Sequence, residues 1–534
     1  MIPLTPSSPP PSFREHAEEQ EEEEYDESQH HLSGIKLYLI IIALCLSVIL
    51  VALDNAILAT AIPTITASFN SLKDVGWYGS SFLIAICALQ PLTGKIYQQF
   101  PLKFSYLAFL FIFEMGSLVC AVSPSSLVLI LGRTVAGIGA SGLFSGALVI
   151  IAHSIPLRLR PIYTGIIASM FGVANILGPI LGGVITQHLT WRWCFWINLP
   201  AGAVTAVLLF FLFASPPTQV HKLSFAGKLK ALELPGFFMF IPTAVMFLLA
   251  LQWGGTKYEW SSPTIIGLLV GSMIMLVMFG TWQWHEGDNA SIPPRVIGQR
   301  TVACCAVLAF LAFGSLQLTT YYLPIWFQVI KNASPTRSGV LYLPTVAGDI
   351  VFSVLGGVFV TQVGYYNPVV MLGCVCIAIG GGLLTTIQPH FGSSLVGYQV
   401  LLGAGFGAVI PTPLIAVQAV LPLKQVPTAT STLMLMQFLG GSIFLSIAQN
   451  IFESKLTDRL TELFDHMTAE QILKAGAGAV RKVVPPEQLP SVLMSYNDGI
   501  SMTFYIVAAS GVIALIASLG MQWRSVKGMK LSMG

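Results

Sequence analysis

The sequence predicts an all-α integral membrane protein of about 14 transmembrane helices, built as two six-helix halves with two extra helices between them. Three observations carry this reading. Of 534 residues, 54% are hydrophobic and only 9% charged, with a mean hydropathy of +0.76; a soluble domain carries ~25% charge. From Lys36 onward, apolar runs of the length that crosses hydrocarbon alternate with short polar loops. An internal echo recurs at one spacing. Pro156-Leu157-Arg158-Leu159-Arg160-Pro161 is matched by Pro422-Leu423-Lys424-Gln425-Val426-Pro427, and Gly137-Ile138-Gly139 by Gly403-Ala404-Gly405, each 266 positions on. Two matches in one register mark a parallel repeat.

Taken in order, residues 1–36 form an acidic tail with Pro9-Pro10-Pro11 and the run from Glu18 to Glu24, too polar to pack a core and expected to be disordered. The first apolar run is too long for a cleavable signal peptide. The N-terminal half, 37–213, holds spans near 37–64, 76–97, 104–122, 126–152, 162–187 and 191–213. The insertion, 214–300, adds spans near 235–252 and 263–284. The C-terminal half, 301–522, has spans near 301–328, 338–362, 368–388, 395–420, 427–451 and 499–522, with an external loop at 452–498 expected to be a solvated, partly helical cap. A tail follows at 523–534. Lys95, Lys103, Arg158, Arg160, Lys222, Lys228, Lys230, Arg295, Arg300, Lys424, Arg524, Lys527 and Lys530 fall on one side of this scheme. That side is expected to be cytosolic, with both termini on it.

The fifth span is rich in small residues. Ala174, Gly178 and Gly182 recur every fourth residue, as do Ala168 and Gly172, so small side chains line a helix face where another backbone approaches closely. Pro179 removes a donor beside Gly178 and is expected to bend the helix there. By themselves these residues fit a structural kink in a packed span. Taken with Gly183, Trp191-Arg192-Trp193 and Asn198-Leu199-Pro200, the series Gly172, Gly178, Pro179, Gly182, Gly183 resembles the antiporter motif of the major facilitator superfamily. More narrowly, it resembles the superfamily's fourteen-span drug:proton antiporters and the fungal toxin-efflux pumps among them.

Four ionisable residues lie deep within spans: Asp54, Glu114, Arg133 and Asp349. A charge in hydrocarbon costs about 3 kcal/mol or more, so it normally faces a cavity and finds a partner. At ~1.5 Å per residue, Asp54 and Arg133 sit at similar depth in the outer half, and are expected to pair across the cavity. A structural ion pair locking two helices is the other reading of the same residues. The resemblance implies more. Leu53-Asp54 with Ala59-Thr60-Ala61-Ile62-Pro63 is similar to the family's first-span motif, and Leu131-Gly132-Arg133 before Gly137 to the fourth-span motif, whose arginine the family links to proton transfer. On that basis Asp54, Arg133, Asp349 and Glu114 are the proton-coupling candidates. Gly94, Lys95 and Lys103 resemble the cytosolic gating loop, although Tyr97 and Gln98 stand where an acidic residue closes the gate in the family. The lysines also fit plain positive-inside anchors.

Several chemistries are set aside. Gly137-Ile138-Gly139-Ala140-Ser141-Gly142 satisfies G-x-G-x-x-G, but it lies inside an apolar helix without the strand a dinucleotide site needs. Gly132, Ala136 and Ala140 make it a packing seam. No Walker loop, H-E-x-x-H or nucleophile elbow occurs. The eight cysteines lie in apolar runs and read as small core residues. No enzyme, cofactor, metal or nucleic-acid partner is therefore expected. Asn332-Ala333-Ser334 is a glycosylation acceptor on an external loop, and Tyr321, Tyr322, Trp326 and Phe327 are candidates to line an apolar cavity.

The expectation is a monomeric, proton-coupled exporter of small hydrophobic organic compounds, in the plasma membrane or in a vacuolar or vesicular one. A proton-coupled importer of iron chelates or nutrients, or a receptor on the same fold, are the rival readings.

Overall fold

A computed structural model describes residues 34–69, 74–214, 227, 231–255, 258–389, 392, 394–463, 481 and 484–527. The acidic tail and most of the 464–483 stretch lie outside the described residues. The chain runs α1 (Gly34–Phe69), α2 (Val75–Gln99), α3 (Leu102–Ala121), α4 (Ser126–Ser154), α5 (Arg160–His188), α6 (Trp193–Trp196), α7 (Asn198–Leu212), α8 (Leu234–Trp253) and α9 (Pro263–Glu286). It continues with α10 (Pro294–Ile297), α11 (Arg300–Val329), α12 (Pro335–Val363), α13 (Asn367–Leu384), α14 (Ser394–Val409), α15 (Thr412–Val420), α16 (Val426–Leu463) and α17 (Leu489–Leu519). Among the described residues, 14 helical segments are long and apolar enough to cross a membrane, in the order the hydropathy predicts. Two of them are interrupted. The sixth joins α6 and α7, and the twelfth breaks at Pro411 into α14 and α15.

Helix starts follow local chemistry. Ser125, Ser262 and Ser334 accept from Val128, Ile265 and Arg337 backbone N–H at the heads of α4, α9 and α12. Gly364, at φ +94°, ends α12 in the left-handed conformation that suits glycine. α16 runs on to Leu463 and α17 starts at Leu489, past the span limits that hydropathy gives, so the ends of the external loop are helical. Beyond the apolar run, Glu453, Lys455, Asp458 and Arg459 can face water while the backbone stays bonded, and Arg459 pairs with Glu462 one turn on, at 3.1 Å.

Glycines set the closest approaches, and they do so twice in one register. A Cβ on Gly137 would meet Phe82 O at 2.5 Å on α2, and one on Gly139 would meet the Phe113 backbone on α3. In the second half, Gly403 faces Thr345 and Asp349 backbone on α12, and Gly405 faces Gly373 and Ile377 on α13. The G-x-G-x-x-G string is thus a packing seam on both sides of its helix.

The halves meet along α5 with α12 and α2 with α16. Pro161 and Gly165 on α5 lie against Gly357 and Ser353 on α12, whose Oγ donates to Gly165 O at 2.9 Å. Gly94 on α2 lies against Pro427, Thr428 and Ser431 on α16, and Gln98 donates to Lys424 O at 3.1 Å. All these contacts sit at the end of the bundle that carries the basic loops. Toward the other end, Gly183 on α5 and Gly339 on α12 have nothing within 4 Å of an added Cβ. The inserted pair α8–α9 lies beside the α2–α16 seam, where Phe240, Ala244 and Phe279 cluster with Ala88 and Leu435.

Candidate functional site

Five helices of the N-terminal half converge on one buried polar patch. Arg133 on α4 and Asp54 on α1 form an ion pair through Nη1 and Oδ2, with both side chains 0% exposed. Arg133 Nε donates to Tyr78 O on α2 at 2.9 Å, and its guanidinium lies 4.3 Å from the Phe82 ring centroid. The free side of Asp54, Oδ1, accepts from Asn198 Nδ2 on α7 at 3.1 Å. That amide also donates to Ser117 Oγ on α3, at 3.1 Å. Asp54 and Arg133 thus pair as their equal depth predicts, but not across the cavity. The pair does not face across a space between halves; all its neighbours belong to one half, which is why no solvent reaches it.

Glu114 lies on the same helix as Ser117, one turn away, opposite Gly202 on α7. Both its oxygens are buried and neither has a hydrogen-bond partner among the described residues. Asp349 belongs to α12 in the other half, partly exposed, and makes no ion pair among the described residues. The four candidate charges thus split into a pair, a neighbour and an outlier.

The glycine stripe of α5 divides between two partners. Gly172 faces the second half, with Ile350 and Val346 at 2.9 and 3.2 Å from an added Cβ. Gly178 faces α1, with Ala56 Cβ at 2.5 Å and Ile57 N at 3.1 Å, and Ala174 clusters with Ala52 and Leu53. The tightest part of the stripe thus holds the turn of α1 that bears Asp54. Gly182 is buried, whereas Gly183 borders open space and belongs to no seam. α5 runs unbroken through Pro179, whose side chain lies outside the described ones.

The gating-loop lysines bind elsewhere than the resemblance implies. Lys95 donates to Asn289 O at 2.9 Å, in the loop after α9. Glu233, at the head of α8 with φ 55°, holds that loop too, accepting from Ser291 N and from Gln283 Nε2 at 2.7 Å. Burial pushes the Glu233 carboxyl above the usual range, against the pull of those hydrogen bonds and of Lys95. Lys103 donates to Phe210 O at 2.5 Å and sits over the Phe210 ring. Gln98, the residue in place of the family's acid, makes one of the hydrogen bonds between halves, to Lys424 O.

Of the aromatic candidates, Tyr322, Trp326 and Phe327 are buried, and Trp326 Nε1 donates to Asn497 Oδ1 at 2.8 Å within the second half. Only Tyr321 is exposed. Asn332 is exposed at φ 51°, and the next hydroxyl, Ser334, is engaged in capping α12. Sequence reasoning missed Ser117, Gly202 and the role of Asn198. Asn198 alone left a signal, as an amide amid an apolar span.

A family model described as Major Facilitator Superfamily matches residues 44–445. The MFS-type efflux pump MFS1 of Trichophyton rubrum is 45% identical over 508 residues, 95% of each chain. The efflux pump aflT of Aspergillus parasiticus is 43% identical over 504 residues, covering 94% of this chain and 98% of the relative. The aspyridones efflux protein of Neocamarosporium betae is 44% identical over 502 residues, covering 93% and 89%. Among solved structures, the proton:xylose symporter XylE bound to a bromodeoxyglucose aligns at TM-score 0.60 and 15% identity, over 93% of this chain and 99% of that one. The human organic anion transporter MFSD10 aligns at TM-score 0.56 and 15% identity, over 89% and 100%. These last two speak to the fold alone.

Proposed function

Since the chain belongs to the major facilitator superfamily, we propose that it is a proton-driven efflux pump, not an enzyme, for small hydrophobic organic compounds. Export is supported by relatives at 43–45% identity whose names state efflux. A fungal secondary metabolite or toxin is the substrate class those names favour.

The single observation that carries coupling to protons is the enclosed Arg133–Asp54 pair with a nearby acid, Glu114, that has no hydrogen-bond partner among the described residues. Buried charge of this kind is costly in a membrane helix and marks ion pathways and proton relays. Asp54, Glu114 and Asp349 are the carboxyls from which a proton can be loaded. The seams closed at the basic end, with open space beside Gly183 and Gly339, support a state closed toward the cytosol and open outward. In this reading both termini lie inside, Asn332 lies outside as a glycosylation acceptor, and the pump is a monomer of the plasma membrane. Gly94 keeps the α2–α16 seam tight, while Lys95 and Lys103 anchor the loops around it.

The test is export of a fluorescent lipophilic compound from cells overexpressing the chain. Uphill loss from the cells that a protonophore abolishes is expected. Accumulation would favour the importer, and no flux either way would favour the receptor.

A further inference from the structure

The proton-coupled reading leaves open which carboxyl titrates, and the surroundings of the two acids in the first half differ in kind. Asp54 is enclosed and fully satisfied: Arg133 occupies Oδ2 and Asn198 occupies Oδ1. Releasing it would strand a buried arginine. Glu114 occupies a notch on α7 that exists only because residue 202 is glycine; an added Cβ would overlap its carboxyl and lie 3.0 Å from its Cγ. Its oxygens are shielded and lack any donor among the described residues. An ionised carboxylate without a donor is strongly disfavoured in such a place, whereas the neutral acid tolerates it.

We propose, resting on the proton-coupled reading, that Glu114 is the carboxyl that gains and loses the proton during transport, while Asp54 stays fixed as the counter-ion of Arg133. In the state described here Glu114 keeps its O–H bond. When the α3–α7 contact opens and water reaches the notch, that bond breaks, the proton leaves with the water, and the carboxylate remains. It is neutralised again by a proton from water on the other side. The charge that acts on it is Asp54 from α1; Tyr78 on α2, Arg133 on α4, Cys120 on α3 itself and Cys194 on α6 gather around the Asp54–Arg133 pair, and α7 contributes no titratable side chain. Two further polar atoms of the patch, Arg133 Nη2 and Asn198 Oδ1, also lack a hydrogen-bond partner among the described residues. A negative charge on Glu114 therefore acts first on Asp54, whose partners are Arg133, with a donor to spare, and Asn198, whose amide also reaches Ser117 one turn from Glu114. Ionisation at the α3–α7 contact is thereby felt at α1 and α4, the helices that carry the pair.

The experiment follows the protonated-carboxyl C=O stretch of the purified full-length protein by infrared difference spectroscopy, from mildly acidic to mildly alkaline pH. The titrating band should be lost in Glu114→Gln and displaced to another pH in Gly202→Ala, where the notch is filled. It should persist in Asp54→Thr/Arg133→Gln, which leaves no charge unpaired, and in Asp349→Asn. A band that survives Glu114→Gln and disappears in either of the other two variants overturns the assignment, while proton coupling stands. Export by the parent that ignores an imposed proton gradient overturns the coupling itself, whatever the band does.

Discussion

Arg133 on α4 and Gln399 on α14 stand 266 positions apart, at corresponding places in the two halves, and both are buried. Around them the backbone packing is alike: Gly137 and Gly403 press on the second helix of their half, Gly139 and Gly405 on the third. The chemistry is not. Arg133 pairs with Asp54, whose counterpart 266 positions on is Thr320, whereas Gln399 accepts from Thr345 Oγ1 at 3.2 Å. One half holds a charged pair where the other holds a neutral hydrogen bond. The bonds also join different helices, the charged pair α4 to α1 and the neutral one α14 to α12. A buried pair is a poor stabiliser compared with uncharged groups of similar size. Its presence in only one half points to a task that needs charge.

The largest effects should come from breaking the charged pair. Asp54→Asn or Arg133→Leu strands the partner and should cost about 3–5 kcal/mol, read as a fall in the unfolding temperature of detergent-purified protein. Converting the site to the residues of the other half, Asp54→Thr/Arg133→Gln, should recover most of that stability but not uphill export. A double variant that pumps as the parent does would show that the charges are dispensable. Recovery of neither property would show that the halves are not interchangeable at this site.

Gly178→Leu comes next. It drives a bulky group into Ala56 beside Asp54, and an overpacked contact costs about 1–3 kcal/mol. Export should be abolished with the protein still in the membrane, whereas Gly183→Leu, facing open space, should export normally. Equal activity of the two variants in the efflux assay would remove the special role of the α1–α5 contact.

In the neutral half, Gln399→Leu should cost only about 1 kcal/mol, the net worth of an ordinary hydrogen bond. Export should keep its dependence on pH. A loss as large as that of Asp54→Asn would end the contrast between the halves.

The smallest effect concerns Glu233, a buried acid outside the spans. Its folded pKa is raised, so its contribution to stability is complete below the unfolded carboxylate pKa and is lost as pH rises through the folded value. Glu233→Gln should flatten that part of the stability profile. An unchanged slope in pH-dependent thermal melts would mean that another group is responsible.

How much was legible in the chain depends on the range of the physics involved. Fourteen spans and two halves followed from the sequence alone, because hydrocarbon thickness and backbone hydrogen bonding impose their length on every helix separately. The pairing of Asp54 with Arg133 followed as well, since two isolated charges at one depth have few other partners. The tertiary structure alone decided which face each residue takes. It placed the pair inside one half, divided the α5 stripe between α1 and α12, and gave Lys95 a carbonyl of the insertion. It also left Glu114 alone in the notch at Gly202. Each of these depends on helix rotation and on neighbours more than sixty residues away, which the spacing within any one helix does not encode.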